Sequence, residues 1–207
     1  MRIGIVGRGR WGSVYARTLE KLGIEYEWGY GGDGVIVATP AETHYAIAKR
    51  LLLAGTPIIL EKPVTLEPEQ ARELVTLGGI AFAGHTRTYA PSWRKFRASL
   101  ENPKDVVAIM GRDVPDPWMD CGPHLVAMCL DIGVDPVGAV ICTPQMRVPL
   151  SFTVGERTWH DNPYESPLEV LITEFVEAIR LGKPNNSGLE LGAKVVEFLW
   201  RYRITQR

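Results

Sequence analysis

The segment Ile3-Gly-Ile-Val-Gly-Arg-Gly-Arg-Trp-Gly12 passes from a short apolar run directly into a cluster of glycines. The run from Arg2 to Val6 is typical of a buried strand, because it is short, apolar and bounded by a turn signal. Apolar residues then recur at helical spacing from Trp11 to Leu22, and Gly23 predicts the end of that helix. This order of strand, glycine turn and amphipathic helix predicts the opening unit of a Rossmann-type parallel sheet.

The three glycines of the turn have the G-x-G-x-x-G spacing of a dinucleotide-binding loop. The first permits the tight turn, the second lets a pyrophosphate approach the backbone, and the third lets the helix pack closely on the strand. Free N–H groups at the start of the helix then face the phosphates. The alternative is a glycine-rich turn without a ligand. We predict that the whole loop contacts a cofactor, namely Gly7, Arg8, Gly9, Arg10, Trp11 and Gly12.

The next segment departs from the usual pattern of such a sheet. Residues Ile24 to Trp28 predict the second strand, whose end usually carries an acid that binds the adenosine ribose. The chain continues instead through Gly29-Tyr-Gly-Gly-Asp-Gly34. Glu27 and Asp33 are both candidates for the ribose contact, whereas the two arginines of the glycine loop would favour a 2′-phosphate. The predicted cofactor is therefore NAD or NADP, and the choice stays open.

Two further strands are predicted to end beside the glycine loop. The first runs from Val35 to Thr39 and stops at Pro40, and the second runs from Pro57 to Leu60. Glu61-Lys62-Pro63 follows the second strand directly. Because open α/β sheets bind ligands outside the carboxyl ends of their strands, Thr39, Pro40 and Lys62 are expected on one rim with the glycine loop. A lysine there can donate to a substrate oxygen, although most lysines are simply exposed.

The second half of the chain has a different pattern. Three β-rich segments are predicted, at Val106 to Met110, Val137 to Cys142 and Val148 to Val154. Capping boxes that begin at Ser166 and Ser187 predict two closing helices. The predicted architecture is α/β, with a truncated Rossmann-type parallel sheet at residues 1–84 and a small α+β domain with an open sheet at residues 85–207.

Asp120 and His124 are four residues apart, so in a helix both side chains lie on the same face. A carboxylate beside an imidazole orients the ring, which can then act as a general acid or base. Pro123 predicts that a helix begins here, and the positive helix end favours the neutral ring. The alternative is an N-capping aspartate beside a half-buried histidine. Arg87, Tyr89 and Trp118 are predicted to line a substrate pocket, with packing alone as the alternative.

The composition excludes several classes of protein. Among 207 residues, 45% are apolar and 23% charged, as in an ordinary globular protein, and the net charge of −1 gives no case for nucleic acid or an anionic membrane as partner. Cys121, Cys129 and Cys142 lack the spacing of a zinc site or a disulfide framework, so no metal is expected. With no signal peptide or membrane span in the sequence, a cytoplasmic location is expected.

Taken together, the motifs resemble those of the Gfo/Idh/MocA family of NAD(P)-dependent oxidoreductases, with this chain as an unusually short member. The resemblance is carried by Val35-Ile-Val-Ala-Thr-Pro40, His44, Ala54-Gly55, Glu61-Lys-Pro63, Gly84-His-Thr-Arg-Thr-Tyr89 and Asp120-x-x-x-His124. It implies action on a hydroxyl or carbonyl carbon of sugars and cyclitols, and oligomer contacts through the open sheet. It also implies that Lys62 orients the substrate, that His124 is the acid/base assisted by Asp120, and that His44 and Glu61 join the cofactor contacts.

The chain also differs from that family. Members usually have a helix and a strand where this chain has only Gly29 to Gly34, and part of the substrate-domain sheet is missing as well. Retention of Lys62, Asp120 and His124 favours an enzyme. The missing segment favours a non-catalytic dinucleotide-binding protein that acts as a sensor or scaffold, and an imine or biliverdin-type reductase is a third alternative because fold does not fix the substrate.

Overall fold

The computed structural model describes residues 1–112, 120–144, 148–185 and 187–205. These residues form two compact units, the first from Met1–Gly84 with Leu168–Trp200, the second from His85–Pro167 with the described residues after Trp200. The chain leaves the first unit at Gly84, where the sequence analysis placed the domain boundary. The two C-terminal helices differ from that analysis, because most of their length belongs to the first unit.

The first unit contains a five-stranded sheet in which all neighbouring strands are parallel. The strand order is β2-β1-β3-β4-β5, so β2 is an edge strand. A parallel sheet of this kind confirms the predicted Rossmann-type architecture. The strands are β1 (Arg2–Val6), β2 (Glu25–Trp28), β3 (Gly34–Val37), β4 (Ile58–Leu60) and β5 (Ala81–Ala83).

Three helices connect these strands: α1 (Arg10–Lys21), α2 (His44–Leu53) and α3 (Pro68–Leu77). Gly23 and Gly55 follow α1 and α2 with φ of +66° and +71°, a left-handed conformation in which glycine readily ends a helix. A 3₁₀ turn at Ala41–Thr43 precedes α2, which starts at His44.

The helices α6 (Pro167–Leu181) and α7 (Ser187–Thr205) pack largely on the parallel sheet. The ring of Phe175 on α6 lies 5.7 Å from the ring of Phe82 on β5. Leu189 and Val196 on α7 join the core formed by β3, β4, α2 and α3. The physical reason is that a parallel sheet needs cover on both faces, and the apolar stripes of these helices supply part of it.

The second unit contains a mixed four-stranded sheet of order β7-β6-β8-β9. Strand β6 runs parallel to β7 and antiparallel to β8, and β8 is antiparallel to β9. This sheet confirms the predicted α+β class for the second unit. Its elements are α4 (Pro91–Ala98), β6 (Val106–Arg112), α5 (Gly122–Asp131), β7 (Val140–Pro144), β8 (Val148–Val154) and β9 (Arg157–His160).

The core of the second unit is built around aromatic side chains. The ring of Trp93 on α4 lies 4.9 Å from that of Phe152 and 5.5 Å from that of Trp159. The sequence analysis predicted neither α4 nor β9. Val107 and Ile141 remain 38% and 43% exposed, so they lie outside this core. In the described parts of the chain, no helix is long and apolar enough to cross a lipid bilayer.

Candidate functional site

The glycine loop between β1 and α1 has the geometry of a phosphate cradle. Gly7 has φ of +110°, and a Cβ atom there would lie 2.3 Å from the carbonyl oxygen of Ala38. A Cβ atom at Gly12 would lie 1.8 Å from the carbonyl oxygen of Gly7. Gly9 differs, because no atom lies within 4 Å of the position its Cβ would take. The first and third glycines are therefore required by the fold, whereas the second leaves open space at the start of a helix, which fits a bound pyrophosphate.

The other predicted contacts of unit 1 lie after neighbouring strands of the same sheet. Thr39 and Pro40 follow β3, and Glu61 and Lys62 follow β4, while the glycine loop follows β1. Because β3 lies between β1 and β4, the three segments share the carboxyl rim of the sheet. Lys62 is half-buried, and its peptide bond to Pro63 is cis.

His44, a predicted cofactor contact, is the first residue of α2. Its side chain is buried, with Nδ1 2.7 Å from the carbonyl oxygen of Pro63 and Nε2 2.8 Å from that of Thr39. Burial lowers the pKa of His44, while the two carbonyl oxygens act in the opposite direction. The neutral ring carries one N–H group and so donates to one of these two carbonyl oxygens, between the segments after β3 and β4. The contact of His44 with the cofactor stays a prediction.

Glu61 is also buried, and it connects the rim to α1. The hydroxyl of Tyr15 donates to Oε1 of Glu61 at 2.7 Å, and the backbone N–H of Lys62 donates to Oε2 at 3.1 Å. Burial raises the pKa of Glu61, and these hydrogen bonds oppose the rise. The sequence analysis treated Tyr15 only as part of the apolar face of α1 and missed this hydrogen bond. The hydroxyl group of a buried tyrosine usually has a polar partner, and this could have indicated the bond. The pair of Tyr15 and Glu61 therefore fixes the backbone that carries Lys62.

This raised pKa predicts how stability changes with pH. The folded protein holds the proton of Glu61 to a higher pH than the unfolded chain, so stability falls as pH rises from the ordinary pKa of 4.5 through the folded value. Glu61→Gln should remove this component of the pH dependence. Melting temperatures measured from pH 4 to 9 test this, with Glu25→Gln, at an exposed glutamate on β2, as the matched control. Parallel curves for wild type and Glu61→Gln would contradict the prediction.

The arginines and tryptophan of the glycine loop are exposed. The guanidinium carbon of Arg8 lies 5.3 Å from the ring centroid of Trp28, the last residue of β2. Arg10 begins α1, and Trp11 is 37% exposed beside it. Trp28 was not predicted as a site residue, although its place at the end of β2, where an acid is usual, was the available signal.

In the second unit, Asp120 and His124 flank the start of α5. The helix begins at Gly122, and the backbone N–H of His124 donates to the carbonyl oxygen of Cys121 at 3.0 Å. His124 is therefore in the first turn, as the position of Pro123 predicted. Its side chain is 8% exposed and Asp120 is half-buried.

Of the three residues predicted to line a substrate pocket, the structure describes Arg87 and Tyr89. Arg87 donates to Oδ1 of Asp161 at 2.8 Å and forms an ion pair with it. Tyr89 is 8% exposed, and the guanidinium carbon of Arg94 lies 5.1 Å from its ring centroid. Both residues therefore make contacts within the second unit, and their contact with a substrate stays a prediction. Trp118 lies outside the described residues.

Two other kinds of catalytic centre were considered for the described residues, a metal site and a cysteine nucleophile. Within them, no three or more His, Cys, Asp or Glu side chains are placed to hold a metal ion. Burial raises the pKa of Cys129 to about 12, so at neutral pH its thiol is protonated and a poor nucleophile.

A Rossmann-type sheet with a glycine cradle at the N-terminus of α1 defines a dinucleotide-binding protein. The model of the oxidoreductase family GFO_IDH_MocA, described as an NAD-binding Rossmann fold, matches residues 31–78. Over this segment the chain is similar to the Gfo/Idh/MocA family, as the sequence motifs predicted. The match confirms the predicted class of cofactor, a nicotinamide dinucleotide.

Curated relatives include oxidoreductases with and without a known substrate. The uncharacterized oxidoreductase YdgJ of Escherichia coli is 25% identical over 138 residues, which are 56% of this chain and 40% of that protein. Inositol 2-dehydrogenase of Rhizobium meliloti is 28% identical over 42% of this chain and 29% of its own length. UDP-N-acetylglucosamine 3-dehydrogenase of Acidithiobacillus ferrooxidans is 32% identical over 31% of this chain and 22% of its own length. The matches thus span less than half the length of these relatives.

Solved structures share the fold over nearly the whole chain. A putative oxidoreductase from Magnetospirillum magnetotacticum has a TM-score of 0.75 at 21% identity, covering 96% of this chain and 98% of that one. GenD2 from gentamicin A biosynthesis, solved with NAD, has a TM-score of 0.74 at 18% identity. The match covers 100% of this chain and 95% of GenD2. At these identities the similarity establishes the fold alone.

Proposed function

We propose that the chain is an NAD(P)-dependent oxidoreductase acting on a hydroxyl or carbonyl carbon of a sugar, nucleotide sugar or cyclitol. The observation that carries the proposal is the placement of the glycine cradle and Lys62 on one rim, after β1 and β4, with only β3 between those strands. A dinucleotide can bind such a rim with its pyrophosphate at the glycine cradle. The ammonium group of Lys62 is then available to a polar substrate beside the nicotinamide ring.

The proposal gives each group of this chain one task. The bound cofactor supplies or accepts a hydride at its nicotinamide ring. The ammonium group of Lys62 donates to the substrate oxygen and stabilises the negative charge that develops there. The imidazole of His124 takes the hydroxyl proton during oxidation and returns it during reduction, with Asp120 assisting the ring.

The substrate class is supported by the names of the relatives, which include an inositol and a UDP-sugar dehydrogenase. A cytoplasmic location belongs to the same proposal. It is supported by Cys121, Cys129 and Cys142, which are free thiols and so suit a reducing compartment.

A second candidate function is a non-catalytic sensor or scaffold that binds the dinucleotide. It is favoured by the short segment between β2 and β3, which leaves β2 as the sheet edge near the adenosine end. The two functions are separated by a panel of inositols, sugars and UDP-sugars offered with NAD⁺ and NADP⁺, followed by the absorbance of the reduced nicotinamide. Turnover of any member supports the oxidoreductase; cofactor binding without turnover on the whole panel supports the sensor.

Lys62→Ala should reduce kcat/KM by roughly 10²–10³-fold, about 2.7–4 kcal/mol, as loss of an oxyanion donor does. The measurement is initial rate on the best substrate of the panel, with cofactor affinity as a separate readout. Lys194→Ala, at an exposed lysine on α7, is the matched control and should keep wild-type rates. Equal rates for Lys62→Ala and wild type would show that Lys62 does not act on the substrate.

We also propose that the mixed sheet forms a homo-oligomer contact through its exposed face. The support is the apolar surface that Val107 on β6 and Ile141 on β7 leave exposed. Val107→Glu would bury an unpaired carboxylate in this contact, which is costly. The variant should therefore have the mass of a single chain when measured by light scattering. Leu53→Glu, at an exposed leucine that ends α2 in the first unit, is the comparison variant. A wild-type protein that is monomeric would contradict the proposal.

A further inference from the structure

We propose that Arg8 binds the 2′-phosphate of NADP(H) and that the chain therefore prefers NADP(H) over NAD(H). The inference rests on the proposed dinucleotide-dependent function and concerns the adenosine end of the cofactor. In a Rossmann sheet the adenosine ribose lies at the carboxyl end of β2, where an acid selects NAD and a nearby arginine accommodates NADP.

The last residue of β2 is not an acid in this chain. The last residue of the strand is Trp28, paired in register with Ile5 of β1. An indole N–H can only donate a hydrogen bond, so Trp28 cannot accept one from the 2′-hydroxyl group as a carboxylate does. Its ring packs instead beside Gly12, whose Cβ position lies 3.3 Å from a ring carbon of Trp28.

The two candidate carboxylates for the ribose contact, Glu27 and Asp33, both interact with Arg2. Oε2 of Glu27 lies 3.5 Å from a guanidinium nitrogen of Arg2, and Oδ2 of Asp33 accepts the backbone N–H of Arg2 at 2.8 Å. Glu27 also lies under the β2–β3 loop, where a Cβ atom on Gly31 would be 1.7 Å from its Oε1. Arg2 begins β1, whereas the glycine loop follows the other end of that strand. Both carboxylates are thus engaged away from the phosphate cradle.

Arg8 lies beside the last residue of β2. It lies between Gly7 and Gly9 in the cradle, and its guanidinium carbon is 5.3 Å from the ring centroid of Trp28. Its cation therefore extends from the phosphate loop to the end of β2. Among the described residues, Arg8 forms no ion pair with a carboxylate. A guanidinium stacked on an aromatic ring keeps its N–H edge for a phosphate, with which it forms strong charge-assisted bonds.

The test is calorimetric titration of the whole protein with NADPH, NADH and the fragment 2′,5′-ADP. Wild type should bind NADPH roughly ten- to a hundredfold more tightly than NADH, as expected for hydrogen bonds to a charged group. Arg8→Gln should lose this preference and the binding of 2′,5′-ADP, while its affinity for NADH stays the same. Arg17→Gln, at an exposed arginine further along α1, is the matched control and should keep the preference.

Each contrary outcome has a distinct meaning. Equal or tighter binding of NADH by wild type overturns the inference and leaves the proposed function standing. An Arg8→Gln protein that keeps the preference for NADPH, or loses affinity for both cofactors equally, overturns the role of Arg8 at the 2′-phosphate. Failure of wild type to bind both dinucleotides overturns the inference together with the proposed function.

Discussion

Gly9→Val is expected to abolish dinucleotide binding while the protein stays folded. Gly9 has φ of −75°, which valine adopts without strain, and the space its side chain would enter is empty. That space is where the pyrophosphate approaches the backbone, so two methyl groups there exclude the ligand. Titration with NADH and NADPH measures the loss. Circular dichroism and the melting temperature should show at most the small cost of a poorer N-cap, about 1 kcal/mol.

Gly12→Val gives the matched contrast within the same loop. Its Cβ atom would lie 1.8 Å from the carbonyl oxygen of Gly7, a backbone clash that a side-chain movement cannot relieve. We expect this variant to be strongly destabilised, so that the loss of binding accompanies a loss of folded structure. Unchanged dinucleotide affinity in a folded Gly9→Val protein would show that the glycine loop does not hold the phosphates.

His124→Gln is expected to lower kcat/KM by about 10²–10⁴-fold, the usual contribution of a general acid or base. Glutamine is chosen because it is polar and close in size, which limits the cavity left at this buried position. Cofactor affinity should stay the same, because the proposed role of His124 is proton transfer. Initial rates across the pH range measure the effect, and the variant should lose the part of the pH dependence that the imidazole causes.

His160→Gln is the control for that substitution. His160 ends β9 with its side chain exposed, so its replacement should leave rates and pH dependence as in wild type. Wild-type turnover by His124→Gln would place the proton transfer on another group. Loss of cofactor binding in the same variant would indicate a structural role at the start of α5 instead.

The sequence alone determined the first unit closely, because its signals are local. A glycine at positive φ, such as Gly7 or Gly23, ends or turns an element whatever surrounds it. Short runs between turn signals placed β1, β2, β3 and β4, and the rule that ligands lie at carboxyl strand ends located the rim that bears Lys62. The start of α5 near His124 followed in the same way from Pro123.

Only the tertiary structure decided which partner each side chain has. An apolar stripe shows that a helix buries one face but not against what, so α6 and α7 were assigned to the wrong side of the boundary until Phe175 was seen beside Phe82. The same holds for polar groups distant in sequence: the ring of His44 lies 2.7 Å from the carbonyl oxygen of Pro63, and Tyr15 donates to Glu61 across 46 positions. Such pairings depend on how strands and helices come together in space, and no local pattern encodes them.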